Sequence, residues 1–555
     1  MKMRIRKQPV LVTILLALFV ALNSSASAFR DTYPKNPGID VLNYVFRIGL
    51  SDQSDEIECE STIDVRFLKA EIEELRIDLI RFDETSGTGM RIQSVHRGSE
   101  KLAFEHRPDH VLIKLGTPSK QSQRSKIRIS YRGKPATGLK IGPNKHGERT
   151  FFSDNWPNKA RNWLATVDHP YDKAMCEFVV TAPDHYQVIS NGLLVEETDI
   201  GDGKRLTHWK QSVPIAPWLY VLGVARFAVQ YVDEFEGKSI QTWVYHQDRD
   251  AGFYDFGYLT KHALQFYSDS VGPFSYEKLA NIQSNSVGGG MEAASAIFYG
   301  DRSVTGTRSV RWRNVIIHEI AHQWFGNSVT EYDWDDVWLS EGFATYFTLL
   351  FIEHQYGRDA FVEGLESSKK RVDSFHEKNP DYRIVHNNLN DMKNVVTSQT
   401  YQKGSWILHM LRGVVGTENF WKGIRNYYAK YKDSSATTAD FKREMEEVSG
   451  KDLTVFFDQW LYKPGALKVE GSWRYDDSNK QVQIDLSQVQ NDGSLFKMPI
   501  EVGIYNDGSA EARIEKISLT GQTGSFLFTS EGPPAEVRLD PNYWVLMDKE
   551  FKRAQ

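Results

Sequence analysis

The chain has 555 residues, of which 40% are hydrophobic, 25% charged and 12% aromatic, a composition typical of a soluble globular protein. This length exceeds what one hydrophobic core can organise, so we expect several domains. The formal net charge of −6 argues against a basic nucleic-acid-binding surface, and no nucleic-acid partner is expected.

The first 28 residues have the three-part organisation of a secretory signal peptide. A basic segment, MKMRIRK, precedes the apolar run VLVTILLALFVAL, and Ala26-Ser27-Ala28 is a small-residue cleavage signal. The apolar run is short for a membrane span, although an uncleaved N-terminal anchor is the alternative. We predict a signal peptide over residues 1–28, an exported periplasmic or extracellular protein, and no stable membrane span after cleavage.

Cysteine usage shows that core packing, not a disulfide framework, must stabilise the protein. Only Cys59 and Cys176 occur, and either one disulfide between them or two buried free thiols would fit. No Asn-x-Ser/Thr acceptor follows residue 28, which favours a bacterial envelope over a eukaryotic secretory route.

The segment from about Tyr44 to Phe227 has the pattern of β-strands. Apolar and polar residues alternate in short runs that Gly, Asp, Asn, Ser and Pro separate. The runs are TIDVRFL (62–68), VLIKL (111–115), KIRISYR (126–132), EFVVTAP (177–183) and LYVLGVARFAV (219–229). We predict an N-terminal antiparallel β domain over residues 29–234.

From about residue 235 the apolar spacing becomes helical, and several segments end on Gly. The helical segments are 257–272, 313–326, 340–357, 405–416, 418–431 and 452–462. After Pro464-Gly465, strands return at 467–476, 481–489, 498–506 and 535–540. We predict a mainly helical domain over residues 235–465 and a C-terminal β-sandwich over residues 466–555.

The strongest chemical signal is the H-E-x-x-H motif HEIAH on a predicted helix. The i, i+4 spacing of His318 and His322 places both imidazoles on one face, where they can bind the same cation. Glu319 lies off that face and can take a proton from metal-bound water. A chance match is the alternative, but the apolar flanks would then bury two histidines without partners, which is unfavourable. The motif therefore favours a zinc site.

A third metal ligand is expected at the start of the next predicted helix. Glu341 lies in its first turn, in WLSEG, and the loop before it allows a return past His322. Two neutral imidazoles and one carboxylate leave a fourth position open for water, as in catalytic zinc sites. The alternative is that Glu341 only favours the helix N-terminus, and both can hold. We predict one Zn²⁺, bound by His318, His322 and Glu341.

These motifs together resemble peptidase family M1, the gluzincin aminopeptidases. HEIAHQWFGNSV and WLSEGFATYF carry the zinc motif, GGME (289–292) matches the start of the G-x-M-E-N segment, and YQKG (401–404) matches the Tyr-x-Lys-Gly element. Residues 150–174, with Arg161 and Asp168, resemble the first-domain segment that leads to the catalytic cleft. Four motifs in the family's order and spacing are much harder to obtain by chance than one.

The resemblance also implies the architecture. It implies a multidomain α+β protein with an N-terminal antiparallel β domain, a thermolysin-like, mainly helical catalytic domain and a C-terminal β-sandwich. The large helical-repeat domain that follows in many members has no counterpart here, so we expect a short three-domain form.

The resemblance further assigns roles that the motifs alone do not. Glu292, with Gly289, Gly290 and Met291, would bind the free N-terminus of a peptide, so peptides are the expected partners and aminopeptidase the expected activity. Tyr401 would donate a hydrogen bond to the developing oxyanion. Without the resemblance, Tyr401 would be interpreted as an ordinary amphipathic aromatic residue.

Two positions depart from the family pattern. Ala293 stands where the family has Asn, and Trp156, with Asp154 nearby, stands where it offers Gln or Glu to the first substrate residue. We therefore expect the substrate amine to depend more on Glu292 and the first pocket to be partly aromatic. The alternatives are a zinc endopeptidase with the same ligands, against which Glu292 argues, and an inactive peptide-binding homologue, against which the complete motif set argues.

Overall fold

The computed structural model describes residues 31–386, 389–508 and 511–554. The predicted signal peptide, residues 1–28, lies outside this part of the chain. Among the described residues, no helix is both long and apolar enough to cross a membrane.

The N-terminal region consists of strands arranged in three sheets. Its strands are β1 (Ile39–Gly49), β2 (Ile57–Phe67), β3 (Glu74–Asp78), β4 (Gly89–Arg97), β5 (Glu100–Lys101), β6 (Phe104–His106), β7 (His110–Lys114), β8 (Arg124–Lys134), β9 (Leu139–Pro143), β10 (Arg149–Ser153), β11 (Ala174–Pro183), β12 (Gln187–Ser190), β13 (Leu193–Gly201), β14 (Lys204–Ile215) and β15 (Leu222–Ala225).

The largest sheet of this region has the strand order β13-β14-β11-β1-β2-β8-β4-β5. Every neighbouring pair is antiparallel except β1 and β11, which run parallel. Strand β8 alternates buried and exposed residues, as expected of a strand with one face on the core. The prediction of a β domain is confirmed, with one parallel pair that the sequence pattern does not reveal.

The central region combines a five-stranded sheet with a set of helices. Its strands are β16 (Phe227–Phe235), β17 (Lys238–Tyr245), β18 (Lys278–Ser284), β19 (Gly290–Met291), β20 (Ala296–Gly300), β21 (Val329–Glu331) and β22 (Ser434–Ala436). Its helices are α1 (Arg249–Phe256), α2 (Thr260–Ser270), α3 (Val310–His322), α4 (Trp338–Tyr356), α5 (Arg358–Lys378), α6 (Gly404–Val415), α7 (Thr417–Tyr431), α8 (Thr438–Ser449) and α9 (Thr454–Phe457).

The predicted strand 219–229 is wrong as a single element. Residues 222–225 form β15 in a sheet with β12, β10 and β9, whereas β16 begins at Phe227 and belongs to the five-stranded sheet of the central region. Apolar residues continue on both sides of the exposed Arg226, where the chain changes sheets, so the apolar spacing alone predicts one strand.

The predicted helical segments correspond to helices α2, α3, α4, α6 and α7, and the last of them to α9 followed by a π-helical turn over Asp458–Tyr462. Helices α1, α5 and α8 and the five-stranded sheet were not predicted. The strand order of that sheet is β16-β17-β18-β20-β19, which leaves β19 at its edge.

The C-terminal region consists of two small sheets. Its strands are β23 (Lys468–Asp476), β24 (Gln481–Gln488), β25 (Met498–Tyr505), β26 (Arg513–Leu519), β27 (Thr523–Thr529), β28 (Glu536–Leu539) and β29 (Asp548–Arg553). The sheet orders are β27-β24-β23-β29 and β26-β25-β28, in agreement with the predicted sandwich. Cys59 and Cys176 are both buried free thiols, so they do not form a disulfide.

Candidate metal centre and active site

Helix α3 carries the H-E-x-x-H motif on its buried side. Ile317 and Ile320 pack in the core, and His322 is almost fully buried. His318, one turn earlier, retains partial exposure. The Nε2 atoms of the two histidines lie 3.1 Å apart, as the i, i+4 spacing predicts for two ligands of one ion.

Helix α4 brings Glu341 to the two histidines. Glu341 Oε2 lies 3.4 Å from His318 Nε2 and 3.2 Å from His322 Nε2. Tetrahedral zinc with bonds of about 2.0–2.1 Å separates neighbouring ligand atoms by about 3.3 Å. The three atoms therefore have the spacing that a single tetrahedral zinc ion requires.

The outer side of His322 is held by two oxygen atoms. Its Nδ1 lies 3.1 Å from the Phe325 carbonyl oxygen and 3.2 Å from Ser340 Oγ, which fixes the ring and leaves Nε2 facing the other ligands. Gly326, at φ +108°, passes so close that a Cβ there would lie 2.3 Å from Ser340 Oγ. Glycine is thus required both by backbone conformation and by space.

The electrostatics of the three ligand residues favour a cation between them. Burial raises the pKa of Glu341, but the charge of His322 and hydrogen bonds from both histidines bring it down to about 2. Burial lowers the pKa of His322, but Glu341 and Glu292 raise it to about 10. The carboxylates thus stabilise a positive charge at this point, which is the position where a zinc ion fits the donor set.

Glu319 lies close to His322 and Glu292. A carboxylate oxygen of Glu319, one of Glu292 and a ring nitrogen of His322 lie within 4.8 Å of one another. A Cβ at Gly290 would lie 2.1 Å from Glu319 Oε1, so strand β19 approaches the carboxylate closely. Burial, opposed by His322, raises the pKa of Glu319 well above its ordinary value, as suits a proton acceptor.

The GGME segment forms the edge of the five-stranded sheet. Gly290 and Met291 form β19, which pairs antiparallel with β20, and Gly289 accepts a hydrogen bond from Gly300 N at 2.8 Å. Among the described strands, none pairs with the other edge of β19. A Cβ at Gly289 would meet no atom within 4 Å, so open space adjoins this edge.

Glu292 follows β19 and is buried beside the metal centre. Its Oε1 has no hydrogen-bond partner among the described residues, and the Trp218 indole lies near the carboxylate. Its backbone carbonyl accepts hydrogen bonds from Gln323 Nε2 at 2.9 Å and Asn327 Nδ2 at 2.6 Å. Sequence reasoning did not assign a role to either amide, although both lie in the quoted segment HEIAHQWFGNSV.

Tyr401 reaches the metal centre from a π-helical turn over Gln399–Lys403. Its hydroxyl donates to Glu341 Oε1 at 2.7 Å, and its ring lies 6.0 Å from the His318 ring. Gly342 and Gly404 allow this approach, since a Cβ at Gly342 would lie 3.0 Å from the Gly404 backbone.

An aromatic wall stands beside Glu292. The rings of Trp156, Trp218 and Trp334 lie 5.0–5.4 Å from one another, and Trp156 is partly exposed. Asp154 is engaged by Lys159 Nζ at 2.6 Å. The first domain therefore presents an indole, not a free carboxylate, at this position.

A second cluster with metal-ligand chemistry, Asp31, His169 and Asp333, already contains a cation. Lys35 Nζ forms ion pairs with both aspartates, and His169 Nε2 lies 2.6 Å from Asp31 Oδ2. The ammonium takes the place a metal would need, so this cluster joins the N-terminal segment to the central region. The Arg161–Asp168 pair, at 2.9 Å, is likewise a buried ion pair within the first domain.

Two protein-family models match the chain, one in the central region and one in the N-terminal region. The Peptidase family M1 domain matches residues 258–460, and the Peptidase M1 N-terminal domain matches residues 41–219. A leucyl aminopeptidase of Saccharolobus solfataricus is 26% identical over 451 residues, which cover 77% of this chain and 56% of that protein. The chain thus spans little more than half the length of this curated relative, and 35% of a human glutamyl aminopeptidase that is 29% identical.

Two solved structures share the fold. Legionella pneumophila aminopeptidase A, in complex with aspartic acid, superposes with a TM-score of 0.79 at 18% identity, covering 95% of this chain and 61% of that one. An M1 zinc metallopeptidase from Deinococcus radiodurans superposes with a TM-score of 0.66 at 21% identity, covering 76% and 93% respectively.

Proposed function

The chain belongs to peptidase family M1, and on this premise we propose that it is a zinc-dependent aminopeptidase that removes N-terminal residues from peptides. One observation carries the proposal: His318, His322 and Glu341 have the spacing of tetrahedral zinc ligands, and beside them lies the buried carboxylate of Glu292, whose Oε1 has no hydrogen-bond partner among the described residues. A metal centre combined with a carboxylate for the substrate amine selects the first peptide bond.

His318, His322 and Glu341 would bind one zinc ion. When bound, zinc supplies Lewis acidity that polarises the scissile carbonyl and acidifies a water molecule. Glu319, held against Gly290, takes the proton from that water and delivers it to the leaving amine. Glu292 binds the α-ammonium of the substrate and so sets the cleavage point one residue from the N-terminus.

Tyr401 supports the oxyanion in this proposal. Its hydroxyl reaches Glu341 Oε1 and therefore lies at the edge of the metal centre, where it can turn to donate to the developing negative charge. Burial, with the charge of Glu341, raises the pKa of Tyr401, so the hydroxyl keeps its proton at neutral pH and remains a donor.

Replacing Tyr401 with Phe is expected to lower kcat by about 10²- to 10³-fold, the usual effect of losing one oxyanion donor. Zinc content should remain that of the wild type, since the three ligands are unchanged. Steady-state kinetics and metal analysis of the purified variant check this. An unchanged kcat would remove Tyr401 from the catalytic step, and a purely raised KM would assign it to substrate binding.

The proposed function is tested with a panel of aminoacyl-p-nitroanilides and their N-acetylated counterparts, before and after chelation and after zinc is restored. We expect cleavage of free-amine substrates only, because acetylation removes the cation that Glu292 binds. Chelation should abolish activity and zinc should restore it. Equal cleavage of acetylated substrates would instead indicate an endopeptidase, and no cleavage by zinc-loaded protein would favour an inactive homologue.

We also propose that the protein is exported. This rests on the basic segment, apolar run and Ala26-Ser27-Ala28 site of the first 28 residues. N-terminal sequencing of protein recovered from the cell envelope and medium tests it, and the expected mature N-terminus is Phe29. An intact Met1 in membrane fractions would support the uncleaved anchor.

A further inference from the structure

The loop that carries Glu292 is held by three buried side-chain amides. Gln323 Nε2 and Asn327 Nδ2 both donate to the Glu292 carbonyl oxygen, at 2.9 and 2.6 Å. Asn191 Nδ2, from the first domain, donates to the Ala294 carbonyl oxygen at 2.7 Å. Removing one of these amides would leave a buried backbone carbonyl with a weaker or missing partner, which is costly. The backbone of this loop is therefore fixed by side chains rather than by a neighbouring strand.

Gln323 holds the loop at both of its ends. While its Nε2 donates to the Glu292 carbonyl oxygen, its Oε1 accepts from Ser295 N at 3.0 Å. One side-chain amide thus offers the loop the donor and the acceptor that a backbone peptide group would offer. Ser295 has φ +64°, a left-handed conformation that residues other than glycine seldom adopt, and such a conformation persists only where its surroundings fix it. The amide therefore stabilises the one backbone conformation from which the Glu292 side chain extends.

The same side chain joins the loop to the helix that carries the zinc motif. Gln323 directly follows His322, the last residue of α3, and its Nε2 also donates to the Glu319 carbonyl oxygen at 3.2 Å. The position of Glu292 relative to the metal centre is thus fixed through one side chain, and does not depend only on the long stretch of chain between them. In the proposed reaction this separation selects the peptide bond that is cleaved, because the amine and the scissile carbonyl must be bound at the same time.

We propose that Gln323, together with Asn327, positions Glu292 at the separation from the metal centre that matches the first residue of a peptide. Both are positioning residues, because they act through the Glu292 backbone and need no contact with the substrate. The inference rests on the proposed function, since it specifies how the same site recognises a free N-terminus. Loss of the Gln323 amide should therefore weaken binding of the substrate amine while the metal ligands keep their geometry.

The test compares two ligands of zinc-loaded, full-length protein by calorimetry. Leucine hydroxamate and 4-methylpentanehydroxamate share the metal-binding group and the side chain, and differ only in the α-amine. Gln323→Met removes the amide with a side chain of similar length. We expect its affinity for leucine hydroxamate to fall by about 10-fold, part of the effect of losing a hydrogen bond to a charged group. Its affinity for the amine-free ligand should stay within about twofold of the wild type, since that ligand does not use Glu292.

Gln488→Met is the matched control, because Gln488 is a buried glutamine that makes the same kind of contact in the C-terminal region. Its Nε2 donates to the Phe496 carbonyl oxygen at 2.8 Å, and its Oε1 accepts from Phe496 N at 3.0 Å. Both variants should have a lower Tm, because each leaves buried backbone groups unpaired. Only Gln323→Met should lose the preference for the amine-bearing ligand. An equal loss in Gln488→Met would attribute the effect to general destabilisation and overturn the inference.

A second variant keeps the inference testable if Gln323→Met does not fold. Asn327→Leu removes the other amide hydrogen bond to the Glu292 carbonyl with a side chain of similar shape. Its affinity for leucine hydroxamate should fall selectively as well, because the same carbonyl again has one donor fewer. An unchanged preference for the amine-bearing ligand in this variant would overturn the inference.

The outcomes separate this inference from the proposed function. If the wild type prefers the amine-bearing ligand and Gln323→Met keeps that preference, or weakens both ligands equally, Gln323 does not position the amine-binding carboxylate and the inference is overturned alone. If the wild type binds both hydroxamates equally, the amine-binding site itself is absent, and the proposed function is contradicted together with the inference.

Discussion

Replacing Glu319 with Gln is expected to lower kcat by about 10²- to 10⁴-fold while zinc remains bound, the range typical of a lost general base. The amide has nearly the same shape as the carboxylate and fits the narrow space beside Gly290. It cannot accept a proton, and it is not one of the three ligands that surround the metal position. Kinetics on a free-amine p-nitroanilide, combined with metal analysis of the same preparation, measure both effects.

The control for this prediction is Glu444→Gln, which removes a buried carboxylate far along the chain from the motif and should leave kcat unchanged. Loss of zinc from Glu319→Gln would assign Glu319 a structural part in the metal site. Retained activity would show that another group accepts the proton.

Replacing Glu341 with Ala is expected to remove zinc and activity together. Its carboxylate is the only anionic member of the ligand set, lying 3.2–3.4 Å from both histidine Nε2 atoms. Without this carboxylate, only the two imidazoles remain, and they bind a cation more weakly than the complete ligand set does. Substitution of a residue that only supports a ligand from outside lowers metal affinity by about 10- to 100-fold. We expect the loss of Glu341 to lower zinc affinity by more than this. Zinc titration and the zinc-dependent increase in Tm measure the loss.

Ser340→Ala is the matched control for the ligand variant. Ser340 contacts His322 from outside the ligand set, and the Phe325 carbonyl still holds the ring when the hydroxyl is removed. We expect its zinc affinity to fall by at most about 10- to 100-fold, the usual effect of replacing a residue that supports a ligand from outside. If Glu341→Ala kept zinc as well as this variant does, Glu341 would not be a ligand.

The features of the protein that the sequence alone determined are those that depend on the spacing of residues close together in the chain. The H-E-x-x-H motif specifies its own geometry, because one helical turn separates the two histidines whatever surrounds them. Alternation at period two identified strands such as β8 and β24, whose residues alternate between buried and more exposed positions. The resemblance to a family supplied Glu292 and Tyr401, which no local pattern would have selected.

The tertiary structure alone decided which distant residues meet. The hydrogen bond from Tyr401 to Glu341 and the wall of Trp156, Trp218 and Trp334 both join segments far apart in the chain. Such contacts depend on how helices and sheets pack against one another. The spacing of apolar residues in the sequence does not encode that packing. The change of sheet near Phe227 was hidden for the same reason, because apolar residues continue on both sides of Arg226, where the chain passes from one sheet to the other.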